Sequence, residues 1–402
     1  MLTRRLFHED AYRTEFEARV LSCTATPDAW EVVLDQTCFY AESGGQPSDT
    51  GTLGGLPVRG VRLRDDGAIV HLVDAPLEGT VTGHVDWARR LDAMEQHTGQ
   101  HLLSAVFVHL FGADTVAWHL GAEATTIDVE MESLTAEQAE EAELTCNRLI
   151  RAGLAVRTHL TDADHVHQFP LRKPPAVEGA IRVVEIEGFD WAACGGTHVR
   201  STGELGLLKI TAWERYKRLT RVTFLAGQRA LRDYLALDRM TRDLARRLTI
   251  GVDDLPAWAD RTQEELNSLR KRVRMQQEQL LAIEAKELIA GARRVGPARV
   301  VRQSFGGRPF EELRLLAGMV AAEPGCVAVF GTRGAVPQLI LHRAVDLRLD
   351  VGKIIREVLP LINGKGGGSP VQAQGGGSRP EQLEAALDAA VEQIARALRI
   401  SS

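Results

Sequence analysis

Two segments far apart in the chain carry side chains of metal-binding chemistry at the same spacing. In EQHTGQHLLSAVF (95–107), His97 and His101 stand four residues apart, and in DWAACGGTHVRSTGELG (190–206), Cys194 and His198 do the same. On a helix, positions i and i+4 lie on one face with Cβ atoms roughly 5–6 Å apart, so His97 and His101 are placed to share one ion. Leu102, Leu103, Val106 and Leu110 follow as an ordinary buried stripe. A lone His–x3–His pair is as well explained by packing. Joined to the second pair, it becomes three imidazoles and one thiol, the donor set of tetrahedral zinc and too soft for magnesium or calcium. The glycines beside Cys194 let a short loop turn both of its ligands toward one ion.

The chain has 402 residues, 44% hydrophobic and 25% charged, enough for two or three domains with full cores. No apolar run has the length to span a bilayer, which argues against a membrane role. The N-terminal MLTRRLFHEDAYRTEFEARV mixes charges throughout and has no apolar core of a secretory signal. Cys23, Cys38, Cys146, Cys194 and Cys326 are odd in number and scattered, so a reducing cytoplasm is expected rather than a disulfide framework. Cys23, Cys146 and Cys326 read as buried, inert thiols. A net charge of −6 excludes binding of nucleic acid by bulk charge, and leaves it to local basic patches.

The expected fold class is α+β. Residues 1–90 offer short β-rich runs between Gly, Pro and Asp-Gly turns, as in a small antiparallel β-barrel. Residues 91–227 alternate helix and strand and form the expected α/β subdomain that bears the zinc. Residues 228–297 read as a helical linker. There Ala259, Leu266, Val273 and Leu280 at a, with Thr262, Leu269, Gln276 and Ile283 at d, give a broken heptad register. A coiled coil and a hairpin packed on a neighbour both satisfy it. Residues 298–402 read as a separate α/β domain with a glycine-rich loop.

A third cluster is FYAESGGQPSDTG (39–51), dense in small polar groups beside an aromatic pair. A plain hairpin explains it, and so does a loop lining a substrate pocket. In this order the three clusters resemble the editing domain of alanyl-tRNA synthetases and the free-standing AlaX proteins, over about residues 1–227. KRLTRVTFLAGQRAL (217–231) is similar to the end of that domain, and NGKGGGSPVQAQGGG (363–377) resembles the glycine-rich segment of the DHH-associated domain. The chain thus resembles a long AlaX that starts directly at the editing barrel.

The resemblance implies one zinc per chain, held by His97, His101, Cys194 and His198, and a cytoplasmic hydrolase that removes serine, and also glycine, from mischarged tRNA(Ala). A pocket built for a small apolar side chain rejects an added hydroxyl only about 100-fold or less, so a second hydrolytic site is needed. Ser43, Gly44, Gly45, Gln46, Asp49 and Thr197 are the expected pocket. Gln46 is assigned to the serine hydroxyl or the water, with turn capping as its alternative. Expected tRNA contacts are Lys217, Arg218 and Arg221 in RYKRLTR, and Lys365, Gly366, Gly367 and Arg379 around the glycine-rich loop. The linker or the last domain would carry a homodimer. His–Glu–x2–His is absent, so no adjacent carboxylate base is supplied. There is no Walker A frame and no Asp–His–His triplet, which argues against ATP hydrolysis and a DHH phosphoesterase. A zinc-stabilised tRNA-binding module without activity, or a metallohydrolase of another aminoacyl ester, would share these features.

Overall fold

The computed structural model describes residues 3–174 and 179–400, the last by its backbone alone. The chain divides into two compact units, Met1–Thr249 and Ile250–Ser402.

The first unit opens with β1 (Arg4–Arg5), the single turn α1 (Leu6–Glu9), β2 (Glu15–Ala25), β3 (Trp30–Leu34), β4 (Gln36–Thr37), β5 (Gly51–Leu53), β6 (Leu56–Val58), β7 (Gly60–Leu63), β8 (Ile69–Val73) and β9 (Thr80–Val85). Seven of these strands make an antiparallel, nearly closed barrel-like sheet in the order β6-β5-β9-β2-β3-β8-β7. Strand β2 serves both halves. Its first part pairs with β9, its second with β3, and a bulge between Val20 and Ser22 bends it between the two. Alternation fixes the inside: β9 buries Val81, Gly83 and Val85 and exposes the residues between them. Phe16, Leu34, Phe39, Ile69 and Val73 fill the core they enclose.

Next come α2 (Trp87–Phe111), β10 (Thr115–Leu120), β11 (Thr125–Val129), α3 (Ala136–Ala152), β12 (Val156–Thr161), β13 (Ile181–Ile186), β14 (Asp190–Ala193), β15 (Leu208–Tyr216), β16 (Leu219–Ala226) and α4 (Gly227–Leu248). They give a four-stranded sheet, β10-β11-β16-β15, and a three-stranded one, β12-β13-β14. The Asp86 side chain caps α2 by accepting the Ala88 and Arg89 N–H groups, and Gly112 ends the helix in the left-handed region. Every residue from Ala93 to Phe107 is buried. The helix is therefore surrounded, and its polar members must find partners inside. Gln96 meets this demand by bonding the backbone of Ala226 through both ends of its amide, at 2.8 and 3.1 Å.

The second unit contains α5 (Leu255–Ala290), β17 (Arg293–Val295), β18 (Ala298–Gly306), α6 (Phe310–Ala322), β19 (Cys326–Arg333), β20 (Gln338–Arg343), α7 (Val351–Val358), β21 (Lys365–Gly368), β22 (Gln372–Gly376) and α8 (Leu383–Ile400). Its sheet runs β17-β18-β19-β20-β22-β21, with β18 and β19 parallel across α6. Helices cover both faces, which is why CVAVFGT in β19 is apolar or small throughout and buried.

Two expectations change here. The glycine-rich segment is not an open loop but the edge hairpin β21–β22, with Gly366 opposite Gly375. Its glycines serve close packing, since a side chain on Gly375 would run into Leu359. The stretch 228–297 is also divided, α4 belonging to the first unit and α5 to the second. On α5 the heptad residues Leu266, Leu269, Val273, Leu280 and Ile283 are exposed.

Candidate metal centre

Helix α2 presents His97 and His101 one turn apart, and the loop after β14 brings Cys194 and His198 to meet them. One donor atom from each of the four lies within 4.8 Å of the other three. The Cys194 Sγ is 3.3 Å from Nε2 of His97 and 3.4 Å from Nε2 of His198. Edges of about 3.4–3.7 Å are what an N/S tetrahedron with bonds of about 2.0–2.3 Å requires. The donor chemistry and the two Cys194 edges therefore fit one tetrahedral ion.

The outer nitrogens are held as ligand imidazoles need. Nδ1 of His97 is 2.8 Å from Oε1 of Gln46, an acceptor, so this nitrogen carries the proton and Nε2 keeps its lone pair. Nδ1 of His198 is 3.1 Å from the Thr98 hydroxyl, which also accepts the Val199 N–H. Nδ1 of His101 is buried without a hydrogen-bond partner, and the nearest carboxylate is Asp190 at 4.0 Å. Burial pushes His97 down to about 3, and burial with the neighbouring imidazoles holds His101 and His198 well below the ordinary value. All three are neutral at pH 7. Burial pushes the Cys194 thiol up, opposed by the Gly196 N–H and the charge of Arg182.

The Cys194 loop is fastened from behind. Nη1 of Arg182 donates to the carbonyls of Cys194 (3.0 Å) and Gly196 (2.8 Å), and Nε2 of His8 lies 3.0 Å from the Gly195 carbonyl. Gly196 must be glycine, because a side chain there would occupy the space of the His97 ring and the Gln46 amide.

The GGQPSD loop meets α2 along one face. Ser43–Gln46 is a tight turn with Gly44 and Gly45 at φ 53° and 84°, a conformation that favours glycine. Gln46 is fully buried. Its Oε1 also accepts the Thr197 N–H at 3.1 Å, and its Nε2 donates to the Thr197 hydroxyl at 2.8 Å. Both ends are thus committed behind His97, and Thr197 is buried with it, so both support the donor cluster from behind. Asp49 is likewise structural: it pairs with the buried Arg90 and accepts the Tyr40 N–H at 2.6 Å. Ser43 is exposed, and Gly44 reaches the cavity.

That cavity, about 340 Å³, is lined by His101, Cys194, Gly195, Trp118, Gln100 and Lys173 among others. Trp118 stacks against His97 with ring centroids 4.8 Å apart and packs over Gly45. Gln100 donates its Nε2 to Ser104 at 2.8 Å, and its Oε1 has no partner among the described residues. Sequence reasoning passed over Thr98, Gln100, Trp118, Arg182 and His8. Trp118 alone carries a local signal, an aromatic beside a histidine in VAWHLG.

Of the expected RNA contacts, Lys217 and Arg218 form the exposed tip between β15 and β16. Arg221 is instead paired bidentately with Asp128 at 2.7 and 2.8 Å. Lys365 and Arg379 are exposed, while Gly366 and Gly367 lie within the edge hairpin.

The family described as the threonyl and alanyl tRNA synthetase second additional domain matches residues 181–223, which include Cys194 and His198, and the DHHA1 domain matches residues 298–396. The alanine–tRNA ligase of Methanosarcina acetivorans is 31% identical over 99% of this chain and 45% of its own length. That of Halorubrum lacusprofundi is 34% identical over 98% of this chain and 44% of its own. These two domains, in a chain aligned over nearly its whole length with alanine–tRNA ligases, support an AlaX-like alanyl-tRNA editing protein. The chain spans less than half the length of these curated relatives. Among solved structures, the C-Ala domain from Aquifex aeolicus alanyl-tRNA synthetase matches 27% of this chain and 96% of its own, at 27% identity and a TM-score of 0.24. Among the described residues no helix is long and apolar enough to cross a membrane.

Proposed function

We propose that the protein is a cytoplasmic trans-editing hydrolase that cleaves the ester of tRNA(Ala) mischarged with serine, and also with glycine. One zinc per chain would be held by His97, His101, Cys194 and His198. When bound there, it would supply Lewis-acid chemistry for an ester. The observation that carries the reading is a four-donor N/S cluster at a cavity whose wall also bears Lys173, in a chain aligned over nearly its whole length with alanine–tRNA ligases.

The chain's own residues have separable tasks. Gln46 and Thr98 orient imidazoles. Arg182 and His8 hold the Cys194 loop by its carbonyls. Gln100, rather than Gln46, offers a free acceptor on the cavity wall, where it would receive the serine hydroxyl or the α-ammonium of the substrate. Lys217, Arg218, Lys365 and Arg379 are the exposed cations proposed to meet phosphates. A homodimer would use the exposed heptad face of α5 or the last domain.

The test is deacylation of Ser-tRNA(Ala), Gly-tRNA(Ala) and an unrelated aminoacyl-tRNA by metal-loaded and metal-stripped protein. Metal-dependent loss of serine from tRNA(Ala) alone, or of serine and glycine, supports the reading. RNA binding without hydrolysis would mark a zinc-stabilised binding module, and equal hydrolysis of the unrelated ester would mark a different metallohydrolase.

A further inference from the structure

Three aromatic side chains stand together on the β12–β13–β14 sheet outside the hydrophobic cores of the first unit. His159, Phe169 and Trp191 have ring centroids 5.4–5.5 Å apart and planes tilted by 33–43°. All three are half-buried, and none belongs to a core cluster or packs against one. The group is nevertheless held in place. Nε2 of His159 lies 2.8 Å from the Glu185 carboxylate, and the Arg172 N–H donates to the Trp191 carbonyl at 3.1 Å, fastening the segment after Phe169 to β14. Fixed, partly open rings are a surface on which bases of single-stranded RNA stack, because every base has a π-face.

Both segments that carry the rings continue into the cavity wall. After Trp191 come Ala192, Ala193, Cys194 and Gly195, and after Phe169 come Arg172, Lys173 and Pro174; all seven line the cavity. At about 3.3 Å per residue, Trp191 stands roughly 10 Å along the chain from Cys194. Lys173 donates to the Thr115 carbonyl at 2.6 Å and has no carboxylate partner among the described residues, so its charge is free for a phosphate.

We infer that His159, Phe169 and Trp191 form a stacking subsite for the 3′-terminal nucleobase of the RNA whose ester enters the cavity. This rests on the proposed function, in that the cavity receives an aminoacyl ester on an RNA end. The rings take the base, Lys173 neutralises the adjoining phosphate, and the ribose ester is left over the His101–Cys194 edge of the metal centre. Charge and chemistry agree: the Lys173 cation on the cavity wall adjoins an aromatic patch, matching a nucleotide's phosphate and base.

The experiment measures binding of uncharged tRNA(Ala), with its complete 3′ end or lacking the terminal nucleotide, to the full-length metal-loaded chain. Wild type, Trp191→Phe, Trp191→Leu and Phe169→Ala are compared, with metal content and melting followed in parallel. Wild type is expected to bind the complete end about tenfold more tightly. Trp191→Leu and Phe169→Ala should remove most of that preference without changing affinity for the shortened RNA, and Trp191→Phe should keep most of it. Absence of the preference in wild type, or its full retention in Trp191→Leu and Phe169→Ala, would overturn the inference. A variant that loses metal or folding is replaced in the comparison by the other ring variant. Because binding of uncharged RNA needs no hydrolysis, a preserved preference without deacylation would overturn the functional reading alone. Normal deacylation without the preference would overturn the subsite alone.

Discussion

Gln46 and Gln100 carry the same amide and both are buried, but their polar atoms are engaged differently. Gln46 has every polar atom engaged around His97 and Thr197, so Gln46→Ala should weaken metal binding about 10- to 100-fold, as loss of an orienting partner does. Chelator competition reads this directly. Unchanged metal affinity with a raised KM would instead return Gln46 to the substrate. Gln100 keeps a free acceptor at the cavity, so Gln100→Ala should slow Ser-tRNA(Ala) hydrolysis about tenfold, change Gly-tRNA(Ala) hydrolysis less, and leave metal content intact. Equal effects on both esters would exclude contact with the hydroxyl. His71 carries a pH prediction. It is fully buried between the Thr37 hydroxyl and the Val32 carbonyl, and burial lowers its pKa to about 4. Below pH 6.5 the unfolded chain takes up a proton that the folded barrel refuses until about pH 4. Stability from neutral His71 is thus complete above pH 6.5 and lost as pH falls toward 4, by roughly 3 kcal/mol in all. Denaturation of wild type and His71→Gln across that range should give converging stabilities as the pH falls.

At the scale of elements, the contact between the 43–49 turn and α2 joins the barrel to the metal centre. Arg90 and Asp49 form a buried pair at the start of the helix, and Gln46 meets His97 seven residues later on the same face. Arg90 also donates to the carbonyls of Ala11 (2.7 Å) and Cys38 (2.6 Å). Arg90→Ala leaves the Asp49 carboxylate buried and unpaired and should cost about 3–5 kcal/mol. Because the same turn holds Gln46, metal retention should fall with it. Denaturant titration and metal analysis of Arg90→Ala check both, and loss of stability with undiminished metal affinity would show the turn and the ligands to be uncoupled.

For the whole molecule, the two units divide the proposed work. The donor cluster and its cavity lie in the first unit, and the second contains no comparable His/Cys cluster among the described residues. A chain ending at Thr249 should therefore keep its metal and most of its maximal rate, while KM rises and the salt dependence flattens as phosphate contacts are lost. Collapse of the maximal rate in a folded, metal-loaded truncation, with RNA affinity intact, would contradict that division.

What could be read without coordinates was what local spacing determines. His–x3–His reads as one helical face because a helix repeats every 3.6 residues, and β9 reads as a half-buried strand because a strand repeats every two. The four donors followed from chemistry and spacing alone. The tertiary structure decided the rest, because those contacts join residues that share no local pattern. Gln46 meets Thr197 across 151 positions and Thr98 meets His198 across 100. The same holds for the charges: Arg221 looks free in RYKRLTR, and only the pairing of β11 with β16 puts Asp128 opposite it. The glycine-rich stretch has the composition of a loop, yet packing against Leu359 makes it a strand pair. Sequence spacing picked out which atoms could share a metal; long-range packing decided which polar groups found partners.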